Sequence, residues 1–167
     1  MKSIHHINFF SAIFLIIHLT SCEKPNVVED SQLLASLYTN SVDTLVIQNN
    51  KYILETYLYR DFFPRLPIPR KSPLIADIYL VNLDSLPILD NIQIQKLYII
   101  QNQLIWISSF KSGVQPKVPD FKLNKLIRDG PEWATNTYVD AVIKIVNNLT
   151  LEEYFLIARH QYIIRTE

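Results

Sequence analysis

The sequence predicts an all-β fold: an antiparallel two-sheet sandwich, immunoglobulin-like in architecture, with one or two short helices. Three observations carry that prediction. Seven stretches of the 167-residue chain alternate apolar and polar side chains or are rich in β-branched and aromatic residues, the pattern of strands buried on one face. The breaks between them hold asparagine pairs and prolines, while the whole chain has only 2 glycines, so its turns rest on a residue that tolerates positive φ. Hydrophobic residues make up 49% of the chain, enough for one core without disulfides or metal.

The first element is not part of the domain. Lys2, His5 and His6 give a weakly basic start, and Ile7 to Leu19 is an almost unbroken apolar run. That run is shorter than the roughly 20 residues that span a bilayer, and it suits the core of an export signal. It closes on Leu19-Thr20-Ser21-Cys22, with the only cysteine of the chain. This arrangement resembles the lipobox of bacterial lipoproteins. The resemblance implies that Leu19, Thr20 and Ser21 are recognised, that residues 1–21 are removed, and that Cys22 is lipidated and becomes the first mature residue. Each buried methylene of an acyl chain contributes about 0.8 kcal/mol, so two or three chains hold the protein in the membrane fraction.

Residues 22–30 read as the lipidated cysteine and a short polar tether holding Pro25, and residues 31–167 as a single β-sandwich domain. Ser31 to Tyr38 places Leu33, Leu34 and Leu37 at helical spacing behind Asp30, predicting a brief helix. Thr44–Gln48 and Lys51–Phe62 flank Asn49-Asn50 as a first hairpin. Leu74–Leu83 alternates as a lone strand. Lys96–Ile100 and Leu104–Phe110 flank Gln101-Asn102-Gln103, and Thr137–Val146 and Tyr154–Arg165 flank Asn147-Asn148, giving two more hairpins. Thr150-Leu151-Glu152-Glu153 matches a helix capping box, yet the residues after it alternate with period two, and a strand is the preferred reading. Asn148-Leu149-Thr150 matches a glycosylation acceptor that conflicts with a bacterial lipobox and is set aside.

Composition removes many activities. With Cys22 committed to lipid there is no thiol nucleophile, and His5, His6 and His18 leave with the signal. His160 is then the one mature histidine, so multi-histidine and Cys/His metal sites are not expected, and no cofactor is implied. Gly113 and Gly130 are too few for a phosphate loop or a G-x-S-x-G elbow. Loss of Lys2 leaves the mature chain with one more acidic than basic side chain, which gives no reason to expect nucleic acid.

Function on such a scaffold is expected in its loops. Pro64 to Pro73 carries four prolines and three cationic side chains, either docking a partner or an anionic envelope group or, the preferred reading, forming a stiff crossover. Asp120 to Trp133 predicts a short helix capped by Asp120, burying Leu123, Leu126 and Ile127, with Arg128 in its last turn and a stop at Gly130-Pro131. Its end, Arg128-Asp129-Gly130-Pro131-Glu132-Trp133, could present an indole, a guanidinium and two carboxylates to a sugar or peptide. Alternatively Gly130 supplies a left-handed cap and Trp133 plugs the sandwich edge. Arg60-Asp61, at the end of the first hairpin, repeats the Arg-Asp pairing, so a crossed pair such as Arg60 with Asp129 would clamp two loops. Arg60, Asp61, Arg128, Asp129, Glu132 and Trp133 are therefore the candidates for a ligand site or a loop clamp, with the clamp preferred.

The export signal, the Asn/Ile/Tyr-rich chain, Tyr57-Leu58-Tyr59-Arg60-Asp61-Phe62-Phe63-Pro64 and Arg128 to Trp133 together resemble the small lipoproteins of Bacteroidota. The resemblance implies a bacterial cell envelope location, lipid-anchored at the outer membrane, and brings no activity with it. Glu23-Lys24-Pro25 does not settle the periplasmic or surface side. The expected function is a noncatalytic binding or assembly module with a membrane contact through Cys22 and an envelope protein or glycan as partner. The alternative is a carboxylate-based hydrolase of envelope glycans, with Asp129 and Glu132 or Asp61 as acid and base.

Overall fold

The computed structural model describes residues 24–64, 71–110 and 117–167; the segment expected to be an export signal and lipobox, with Cys22, lies outside them, as does most of the proline-rich segment. The described chain is mostly β with one helix. In order it runs β1 (Asn26–Glu29), α1 (Ser31–Asn40), β2 (Ser41–Val42), β3 (Leu45–Ile47), β4 (Asn50–Asp61), β5 (Leu74–Asn82), β6 (Ile92–Gln101), β7 (Leu104–Ser109), β8 (Lys122–Ile127), β9 (Tyr138–Asn147) and β10 (Glu153–Thr166). All seven stretches read as strands from the sequence are strands.

The strands form one curled sheet in the order β1-β7-β6-β9-β10-β4-β5-β8, with β2 on β10 and β3 on β4. The sheet is mixed, which departs from the purely antiparallel expectation. β10 runs antiparallel to β9 but parallel to both β2 and β4. β10 is also irregular: its register with β9 breaks between Ala158 and Gln161, where His160 takes φ 58°. A bulge of this kind bends a strand and raises its twist. β10 pairs with β9 from Glu153 to Tyr162, and its last four residues, Ile163 to Thr166, reach across to Leu58 to Asp61 of β4. The two leaves of an immunoglobulin-like sandwich are replaced by one sheet folded about this strand.

The inner face holds the main core. Tyr52, Leu58, Leu74, Ile78 and Leu80 from one side meet Leu97, Ile99, Trp106, Ala141, Ile143 and Leu156 from the other, all at most 1% exposed. A second, smaller core lies outside the sheet. There α1 lays Leu33, Leu34 and Leu37 over Tyr98, Ile100, Ile105, Val142 and Ile157. The helix starts where the sequence places it: the Asp30 carboxylate accepts from the amides of Gln32 and Leu33.

Four local expectations are corrected. The segment from Asp120 to Arg128 is not a helix: Lys122–Ile127 is β8, pairing antiparallel with β5 from Ala76 to Val81. Leu123, Leu126 and Ile127 keep helical spacing, with Leu126 off the strand face shared by Leu123 and Ile127, and the open edge of β5 overrides that spacing. The assigned tether contains a strand, because Val27 and Val28 let Asn26–Glu29 add to the edge of β7. The first hairpin turns at Gln48 and Asn49, φ 48° and 65°, one residue earlier than the Asn49-Asn50 pair. Gly130 is not a left-handed cap, since no described glycine has positive φ. It is small because of its neighbours: a Cβ there would meet the Leu74 carbonyl oxygen at 2.6 Å and the Trp106 ring at 2.8 Å.

Candidate functional site

The six residues singled out by the sequence divide into two places. Arg60 sits at the end of the inward row of β4, its side chain 11% exposed. Its Nε donates to the Ser72 carbonyl at 2.6 Å, and its Nη1 donates to the carbonyls of Trp133 at 2.7 Å and Glu132 at 3.3 Å. The Glu132 carboxylate stands 3.9 Å from Nη2 and 3.6 Å from Lys71 Nζ. Burial pulls the Arg60 pKa down, against the raising effect of Glu132. One guanidinium thus ties β4 to the chain before β5 and the chain after β8, which is the work of a clamp. The carboxylate in it is Glu132, in place of the expected Asp129.

The neighbours of Arg60 strengthen the same joint. Ser72 Oγ donates to the Asp61 carbonyl at 2.7 Å, and the Asp61 carboxylate accepts the Phe63 amide at 3.0 Å. The Phe62 ring lies under two guanidiniums, Arg60 at 4.9 Å and Arg165 at 4.0 Å. Trp133 is half-buried against the main core, as a plug would be.

Arg128 and Asp129 are elsewhere, exposed at the end of β8. With Leu126, Ile127, Ser108 and Ser109 they line an open cleft of about 280 Å³. The cleft lies where the curled sheet fails to close, between β7 and the outer edge of β8. A paired-carboxylate hydrolase needs two carboxyl groups about one nucleophile or water apart across one cleft. The lining described here brings one, Asp129. Among the described residues no group of three His, Cys, Asp or Glu is arranged to hold a metal ion.

A third place was not read from the sequence at all. On the outer face, beyond the end of α1, the exposed imidazole of His160 stacks on Tyr138 with centroids 3.9 Å apart and 12° between planes. Tyr138 in turn tilts against its cross-strand partner Tyr162 at 5.1 Å. The arrangement is fixed from below. The Asp140 carboxylate accepts the His160 amide at 2.7 Å and the Tyr38 hydroxyl at 2.8 Å, holding the bulge residue in its left-handed conformation. Burial and that hydrogen bond push the Tyr38 pKa up to about 12. Tyr162 donates to Asn136 Oδ1 at 3.1 Å, and Asn136 donates its amide to the Ile163 carbonyl at 2.8 Å.

The row continues onto β4. Ile163 faces Leu58 and Ile164 faces Tyr59, and Thr56 Oγ1 donates to Gln161 Oε1 at 2.7 Å, so the parallel register sets Tyr57 beside Tyr162. Tyr57 is 45% exposed and contacts Tyr59 at 5.1 Å. Three outward tyrosines on three adjacent strands therefore form one exposed aromatic row, with His160 stacked at its end. His160, the one histidine among the described residues, was the sequence signal available, read only as a missing metal ligand.

Next to Tyr57, on β5 and β8, the outer face is polar and internally bonded. Asp77 accepts from the Tyr79 hydroxyl and from the Asn124 amide, and this pushes the Tyr79 pKa up to about 12. No protein-family model, curated protein or solved structure matches the chain.

Proposed function

We propose that this chain is a noncatalytic binding or assembly module of the bacterial cell envelope, held at the outer membrane by lipid on Cys22. The supporting sequence feature is Leu19-Thr20-Ser21-Cys22 behind an apolar run. The observation that carries the binding role is the exposed row of Tyr138, Tyr162 and Tyr57 with His160, built on strands and braced by Asp140 and Asn136. A curled sheet around one core serves such a role as an immunoglobulin-like sandwich does, with a rigid scaffold and sites on its outer surface. The candidate carboxylates support it too, because Glu132 and Asp61 are engaged in holding loops.

Anchoring is tested by metabolic labelling with a palmitate analogue and by fractionation. Wild-type protein takes up the label and stays with membranes through a high-salt wash, whereas Cys22→Ser is unlabelled and is not processed. Unlabelled wild-type protein that washes free removes the anchored reading. Among the described residues no helix is long and apolar enough to cross a membrane.

A further inference from the structure

We infer that the aromatic row on β9, β10 and β4 is a binding platform for a neutral glycan, with successive sugar rings laid across Tyr138, Tyr162 and Tyr57. The inference rests on the binding-module reading and names its ligand class. Its starting point is ring exposure: Tyr138, Tyr162 and Tyr57 are 52%, 42% and 45% exposed. An aromatic face carries negative charge density and attracts the polarised C–H groups that line one side of a pyranose. Adjacent strands lie about 4.8 Å apart, so the three rings span roughly 10 Å, about the reach of a disaccharide.

Charge selects the ligand. The charged groups bordering the row are matched within the protein: Asp140 by Tyr38 and the His160 amide, Arg159 by Asp43 at 3.5 Å, Glu55 by Lys122 at 2.7 Å, and Asp77 by Tyr79 and Asn124. An anionic ligand finds no countercharge among these groups, since Arg159 and Lys122 face Asp43 and Glu55, while hydroxyl groups can exchange hydrogen bonds with tyrosine hydroxyls and the Asn136 side-chain amide. A protein partner fits less well, since a docking surface of that kind centres on desolvated apolar anchors, and this row carries a hydroxyl on every ring with Asn136 bonded at its edge. The site is also rigid before anything binds. The His160 backbone is held by the hydrogen bond that its amide donates to Asp140, and its ring is stacked on Tyr138, so these two rings have little rotamer freedom to lose on binding.

The test is affinity electrophoresis of the full chain, solubilised in detergent, through gels containing dextran, mannan, laminarin or hydroxyethyl cellulose. At least one neutral polysaccharide retards the protein. The double variant Tyr138→Ser/Tyr162→Ser loses about tenfold or more in apparent affinity, and Tyr57→Ser loses less. Tyr138→Phe/Tyr162→Phe, which keeps the rings, retains most of it, and Phe63→Ser, exposed outside the row, behaves as wild type. Melting curves of the serine variants that match wild type assign the loss to the platform. Three results overturn the inference: unchanged mobility in all four gels, equal retardation of wild type and the folded double variant, or retardation by the polyanion heparin alone. Unchanged mobility together with a protein captured by crosslinking in membranes overturns the glycan and leaves the binding module standing. An unlabelled wild-type Cys22 fails the anchor without touching the gel result.

Discussion

Under α1 the outer face of the sheet is closed and mostly aliphatic, with Ile100, Ile105, Val142 and Ile157 at most 2% exposed and Tyr98 buried beside them. Past the helix the same face of the same strands carries Tyr138 and Tyr162, 52% and 42% exposed. The residue types change where the cover stops. Aliphatic side chains left bare would form a sticky patch, whereas tyrosine offers an apolar ring with a hydroxyl that water can satisfy. The difference teaches that the bare half is finished as a surface and the covered half as a second core. Asp140 stands on the border and serves both, bonding Tyr38 of the helix and the His160 amide of the bulge.

The largest test of this contrast is truncation on each side of the border. Leu37→Ala removes a side chain 2% exposed under the helix and lowers stability by about 2–5 kcal/mol, read from the midpoint of denaturant unfolding. Tyr162→Ala, on the bare side, costs within about 1 kcal/mol. Equal costs would erase the distinction. Next in size, Asp140→Ala leaves the His160 amide and the Tyr38 hydroxyl without their acceptor and costs about 1–3 kcal/mol. Amide exchange at His160 rises more than at Val142, which lies in the sheet under the helix.

The smallest effect is alkaline. Unfolded tyrosine loses its proton near pH 10, while Tyr38 and Tyr79 hold theirs to about 12 in the fold. The unfolded chain then binds fewer protons than the native one, so the contribution of these bonds is whole below pH 10 and falls as pH rises toward 12. Tyr38→Phe makes that decline shallower, seen in unfolding midpoints between about pH 9 and pH 11. A slope unchanged by the substitution would place the hydrogen bond to Asp140 outside the energetics of the border.

Much of the scaffold was legible because strand alternation is local. Tyr52, Leu54 and Leu58 are buried on β4 as their spacing foretold, and so are Leu74, Ala76, Ile78 and Leu80 on β5. What failed was whatever depended on a distant partner. Lys122–Ile127 is a strand because β5 offers an edge and because Asn124 bonds Asp77, a residue 47 positions away. Arg60 was legible as a residue that could join two loops, but its carboxylate is Glu132, since β4 ends facing Glu132 and Trp133. The aromatic row was illegible in principle. Tyr57 and Tyr162 become neighbours only through a parallel pairing that no local pattern announces.

That pairing also sets a schedule. β10 follows every other strand in chain order, yet in the sheet it lies between β9 and β4. Until it has been made, no strand pairing among the described residues joins the strands on the β9 side to those on the β4 side. Contacts that close loops of about 100 residues form slowly, because the chain gives up its freedom before the pairing repays it. The shape of the core is therefore committed only when the last strand of the chain is in place.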